Sequence, residues 1–185
     1  MKITRILLSI AVIFSFGSAL ASNLHNGQRV PAVGVPDKGE LILDKEAFSY
    51  QAWNSAKLPG KVRVVQHIAG RSSAKEMNAS LVEAIKAAQF PHDRYQTTTI
   101  VNTDDAIPGT ALFVRNSIEG NKKLFPWSQF IVDSDGNVRK AWDLAAKSSA
   151  IVVLDKQGEV RFAKEGALSA QEVQQVIALL KELLQ

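Results

Sequence analysis

Ser72 and Lys75 stand one helical turn apart, a spacing at which a lysine amine can draw the proton from a serine hydroxyl and leave a nucleophile. His67, five residues earlier, could act as a base beside an acid. A third polar run, Asn102 with Asp104 and Asp105, follows a β-branched stretch, where open α/β sheets place their ligands. Each has a plainer explanation. The serine-lysine pairing lacks the Lys-Thr-Gly triplet that accompanies it in penicillin-binding enzymes, so Ser73 capping a helix and Lys75 standing in water account for it. A histidine in a buried strand is more often hydrogen-bonded structure than a ligand. His25, His67 and His92 lie too far apart for a metal motif, and Asp133 and Asp135 stop short of a calcium loop, so no metal and no cofactor is expected.

These residues need elements to hold them. Lys61 to Ile68 is β-branched and apolar on both faces over most of its length, the pattern of a central strand covered on both sides. Ser73-Ala74-Lys75-Glu76 reads as a capping box that opens a helix with Met77, Leu81, Ala84, Ile85 and Ala88 on its buried stripe, closed by Pro91. Upstream, Pro31 to Asp44 predicts two short strands around Pro36-Asp37-Lys38-Gly39, and Phe48 to Trp53 a short helix. Downstream come a Thr-rich strand over Tyr95 to Val101, a helix over Pro108 to Glu119, and a strand at Phe130 to Val132. A short helix follows with Val138, Ala141 and Trp142 on one face. Ala150 to Leu154 and Val160 to Ala163 make a hairpin around Gly158, and a last helix begins at the capping box Ser169 to Glu172.

The N-terminus bears on where this domain works. Met1-Lys2-Ile3-Thr4-Arg5, an apolar run from Ile6 to Phe16 and then Ala19-Leu20-Ala21 have the order of a cleaved signal peptide, and the run is about half the length of a membrane span. Residues 1–21 are therefore expected to be removed on export and 22–185 to form one domain, placed in the periplasm of a two-membrane bacterium and free of the membrane after cleavage. The chain has 22 basic and 18 acidic residues; loss of Lys2 and Arg5 leaves 20 against 18, interspersed, which gives no footprint for nucleic acid. With no cysteine, neither a disulfide nor a lipid-modified cysteine anchors it.

The strand, loop and helix after Gly60-Lys61, with the closing run Ile151 to Val160 and Gly166-Ala167-Leu168-Ser169, resemble the thioredoxin superfamily. The lead-in Gly27, Pro31, Gly39 and the extra Asp133 to Gly136 unit are similar to peroxiredoxin-type members. More closely, His67-Ile68-Ala69-Gly70-Arg71, the run Tyr95 to Asp105 and Pro126-Trp127-Ser128-Gln129-Phe130 look like the bacterial YtfJ family. The resemblance implies an α/β, thioredoxin-like three-layer sandwich with a peroxiredoxin-type N-terminal hairpin and an inserted strand-helix unit, in a periplasmic protein without an established activity. It also places the superfamily's two catalytic cysteines at Ser72 and Lys75 and its cis-proline at Ala150. All three are replaced, and a chain without sulfhydryl groups cannot reduce, isomerise or form disulfides.

The expectation is a non-redox binding or accessory module that takes a periplasmic protein or peptide. The alternative is a hydrolase-like enzyme using Ser72 with Lys75, or His67 with an acid. If the superfamily's geometry holds, a groove lies between Gly70 to Lys75 and Ser148 to Ala150, with Arg71 and Lys75 as free cations and main chain beside Ala150 open to an extended partner. The residues singled out for such binding are His67, Arg71, Ser72, Lys75, Asp104, Asp105 and Ala150.

Overall fold

A computed structural model describes residues 22–185, so the signal-peptide reading of Met1 to Ala21 lies outside the described residues. The chain runs β1 (Gly34–Asp44), β2 (Ala47–Asn54), a 3₁₀ turn (Ser55–Lys57), β3 (Val62–Ala69), α1 (Ser72–Glu76), α2 (Ala79–Ala88), β4 (Tyr95–Asn102) and α3 (Ala111–Leu124). It continues through β5 (Gln129–Asp133), α4 (Asn137–Trp142), β6 (Ser149–Leu154), β7 (Val160–Glu165) and α5 (Ala170–Leu183). The strands form one sheet in the order β2-β1-β5-β4-β3-β6-β7. β3, β4 and β5 are parallel, so their C-terminal ends gather at one edge of the molecule; the remaining pairings are antiparallel.

Alternation along the central strands feeds two apolar layers. Val62 and Val64 of β3 and Ile151 and Val153 of β6 meet Leu81 of α2 and Val173, Val176 and Leu180 of α5. Ile118 of α3 covers Leu41, Val101, Phe130 and Val132 farther along the sheet. On the opposite face Val65, Ile100, Ile131, Val152 and Leu154 pack under Val138 and Trp142 of α4, with Trp53, Leu58 and Leu24. Each fully buried aliphatic side chain contributes about 1.5–3 kcal/mol, which is how a domain without crosslinks holds. The N-terminal segment lies on this second face. Asn23 N–H donates to Trp142 O at 3.0 Å, Gly27 and Gln28 exchange hydrogen bonds with Val160, and Arg29 bridges to Glu159.

Four expectations about the elements need correction. Pro31 to Asp44 is not two strands: β1 is one strand with a bulge between Val35 and Glu40, where Gly39 adopts φ +72° and leaves no room for a Cβ against Gln51 O. Phe48 to Trp53 is not helical; it is the body of β2, its aromatic residues paired with β1 across a turn at Lys45 and Glu46, which both have positive φ. Ser73 is not a cap. The helix begins at Ser72 with Arg71 in the extended cap position and no side-chain cap, and it breaks between Glu76 and Ala79. The helix expected from Pro108 begins at Ala111, because Gly109 at φ +83° and a turn from Ile107 O to Thr110 N occupy the residues before it. The capping box at Ser169 and Glu172 is present, each side chain meeting the other's backbone N–H.

Candidate functional site

The edge where β3, β4 and β5 end carries a polar cluster built by strand register. Asn102, the last residue of β4, lies opposite Ala69 on one side and Asp133 on the other. Its side chain spans the next turn: Nδ2 donates to Asp105 Oδ2 at 3.1 Å and Oδ1 accepts from Asp104 N–H at 3.1 Å. Asp105 Oδ2 also accepts from Lys147 N–H at 3.0 Å and lies 3.8 Å from Arg139 Nε of α4. Arg71 closes the other side, with Nε and Nη2 donating to Asp105 O at 3.0 and 2.6 Å. Asp133, wholly buried, accepts from the N–H groups of Asn137 and Val138 and so fixes the start of α4. Burial raises its carboxyl above the usual range, and the nearby Asp37 adds to the rise against those hydrogen bonds.

His67 sits beneath this cluster, 2% exposed, between Ile100 of β4 and Ala150 of β6. Burial pushes its pKa down to about 4, with the charge of Asp105 opposing the fall and that of Arg139 adding to it. The imidazole is thus neutral at pH 7. Its Nε2 has no hydrogen-bond partner, and neither has the buried Nε of Arg139.

The expected site residues therefore separate. Arg71, Asp104 and Asp105 meet at the strand ends, with Asp104 exposed and Asp105 holding the turn together. Ser72 and Lys75 lie on α1 and are exposed, but the Lys75 Nζ donates to Ser117 Oγ of α3 at 3.3 Å and makes no hydrogen bond to Ser72. A serine without a base in reach is not activated, so the geometry gives a serine-lysine nucleophile no support. Arg71 is half-buried and its Nε and Nη2 are held on Asp105 O, so it lacks the mobility expected of it while its charge has no carboxylate partner. Ala150 is 2% exposed and lies inside the sheet between His67 and Glu165, with no open edge for a partner strand. The peptide bond before it is trans, as are all others among the described residues.

The loops Gly70–Lys75 and Ser148–Ala150, between which a groove was expected, are tied together at their base. Ala69 N–H donates to Ser148 O at 3.0 Å, and Asn78, 3% exposed at the break between α1 and α2, donates to Ser149 Oγ and Gly166 O and accepts from Leu168 N–H. An open cleft of 840 Å³ lies instead between the start of β1, the end of β2 and α4, lined by Val33, Gly34, Trp53, Asn54, Lys140 and Ala141 among others. Among the described residues no three histidine, aspartate or glutamate side chains are grouped to hold a metal ion, and no helix is long and apolar enough to cross a membrane.

Sequence reasoning missed Arg139, Lys147 and Asn78, whose roles come from residues far away in the chain. It also missed Ile107, Leu112 and Phe113, which are 51%, 64% and 74% exposed at the same edge. That signal was present: three large apolar residues around Pro108-Gly109 could not all be buried by a helix with Ile118 as its inward position.

Comparison with known proteins gives a consistent picture. The solved thioredoxin domain of a thiol-disulfide oxidoreductase from Bacteroides vulgatus superposes with a TM-score of 0.54 at 13% identity, covering 88% of this chain and 99% of that one. A thiol-disulfide isomerase from Corynebacterium glutamicum gives 0.51 at 17% identity, covering 88% and 97%. These fix the thioredoxin-like fold; this chain contains no cysteine. The Escherichia coli K12 protein YtfJ is 67% identical over 166 residues, 90% of each chain, and a Haemophilus influenzae protein is 48% identical over 183 residues, 99% of each. Residues 24–183 match the model of a family described as bacterial protein of unknown function, YtfJ_HI0045. The chain belongs to the YtfJ family.

Proposed function

We propose that the chain is an exported, non-redox thioredoxin-like module that works by binding a protein or peptide in the periplasm. One observation carries this reading. At the loop where the superfamily resemblance places the catalytic cysteines, this chain has Ser72 without a base and Lys75 turned to Ser117, so the position holds neither a thiol nor an activated hydroxyl. The loop is nonetheless well built, braced by Arg71 on Asp105 and by Gly70, where a Cβ would come within 3.1 Å of Ala106 and 3.2 Å of Asn102 O. A firm loop with no reactive group suits recognition better than catalysis. The signal-like segment Met1 to Ala21 supports the compartment.

The test is crosslinking in the envelope of cells expressing the chain, together with the intact mass of the recovered protein. The reading expects a mass that starts at Ser22 and a defined crosslinked partner retained by Ser72→Ala. A chain still carrying Met1 refutes the export. An activity that Ser72→Ala abolishes at unchanged melting temperature refutes the non-enzymatic reading.

A further inference from the structure

The edge that carries the candidate site also exposes three large apolar side chains. Ile107 ends the loop after Asp105, Leu112 and Phe113 open α3, and these are 51%, 64% and 74% exposed. They are continuous with α1. Phe113 lies one turn before Ser117 on α3, and Ser117 receives Lys75 of α1 at 3.3 Å. Ile107 follows Ala106, which faces Gly70. Single exposed apolar residues need no explanation, whereas three in one place mark a contact surface.

The charges beside this patch name the partner. Arg71 and Lys75 border it, and both direct their donors to neutral oxygens, Asp105 O and Ser117 Oγ. Among the described residues neither is in a salt bridge, while Arg115 on α3 is paired with Glu119 and Arg139 with Asp105. Two cations without a carboxylate, next to an apolar surface, complement a partner that brings its own carboxylates. We infer that Ile107, Leu112 and Phe113, bordered by Arg71 and Lys75, form a docking surface for an acidic segment of another protein whose apolar side chains alternate with Asp or Glu. This rests on the binding-module reading and moves the contact from the groove between the loops to the face shared by α1 and α3.

The probe is a random dodecapeptide library displayed on phage, selected on the chain beginning at Ser22 and counter-selected on Phe113→Asp. Phe113 is largely in water, so that substitution should leave the fold intact; circular dichroism checks this, and Leu112→Asp gives an independent second variant. The expected result is enrichment of peptides combining Asp or Glu with Leu or Phe. A synthetic peptide of that consensus should shift the amides of Ile107 to Ser117 and Arg71 to Lys75, lose about 20-fold or more in affinity on Phe113→Asp, and weaken with salt. Enrichment of basic peptides, or no enrichment, overturns the proposal. Shifts confined to the cleft by Trp53 overturn the assigned surface and leave the binding-module reading standing, whereas failure of the envelope crosslinking defeats that reading itself. Two further outcomes overturn the acidic-peptide assignment: a dimer in sedimentation that Phe113→Asp dissolves, which makes the occupant a second copy, and cosedimentation with phosphatidylglycerol vesicles that Phe113→Asp abolishes, which makes it a lipid surface.

Discussion

Mild acid should weaken this fold through one side chain. His67 has an ordinary pKa of 6.5 in the unfolded chain and about 4 in the folded one, because burial disfavours the imidazolium more than Asp105 favours it. Between those values the unfolded state binds more protons, so stability is fully present above pH 6.5 and falls as the pH falls through this window. The two values give a loss of about 2 kcal/mol between pH 7 and pH 5, out of about 3 kcal/mol for the whole titration. Asp133 works in the opposite sense at the acid end, since burial raises its folded pKa and lowering the pH through that value favours the folded form. The assay is therefore a difference: urea unfolding followed by tryptophan fluorescence at intervals from pH 4.5 to 7.5, for the wild type and for His67→Gln. The glutamine variant differs in height at every pH and keeps the Asp133 contribution, so the informative quantity is the slope. The wild-type curve should fall more steeply below pH 6.5, and the His67 ring resonances should not titrate above pH 5. Parallel curves, or a ring that titrates near 6.5, would refute the assignment.

Arg71→Ala removes two charge-assisted hydrogen bonds from Asp105 O and should lower stability by about 1 to 2 kcal/mol, read as a shift in urea midpoint. Asn78→Ala leaves Ser149 Oγ, Gly166 O and Leu168 N–H without their partner in a buried place, and should lower stability by about 3 kcal/mol in the same assay. Ser169→Ala should lower it by about 1 kcal/mol, while Ser73→Ala, which removes no cap, should change it by less than about half that; equal losses would contradict the helix boundary.

What the sequence disclosed followed from local patterns. The β-branched runs of β3, β4 and β6 and the reciprocal pair Ser169 and Glu172 depend on near neighbours, and they appear where their residues say. The errors came where distant residues decide. Ser73 and Glu76 have the spacing of a capping box, but Arg71 is drawn to Asp105 and takes the cap position, so the helix starts two residues early and has no side-chain cap. Asn78 sits in an apolar helical repeat, but its amide is claimed by β6 and the loop before α5, and the helix breaks there. Phe48, Tyr50 and Trp53 carry strand propensity, yet in so short a run only the partner β1 could show that they pair. At the site, Asp105 was legible as a polar residue after a strand. That Lys147 and Arg139 converge on it was not, because their chain positions say nothing about which turn they meet.

The docking of the N-terminal segment governs the order in which this molecule can be completed. Asn23, Gly27 and Gln28 are among the first of the described residues to be synthesised, yet their backbone partners are Trp142 and Val160, and β1, which pairs with the adjacent β2 on one side, must wait for β5 on the other. A growing chain therefore holds its leading segment unpaired until most of the domain exists, and the many contacts of wide sequence separation make closure slow. Such a chain becomes a closed body late, once α4 and β7, on which its first residues dock, have been made.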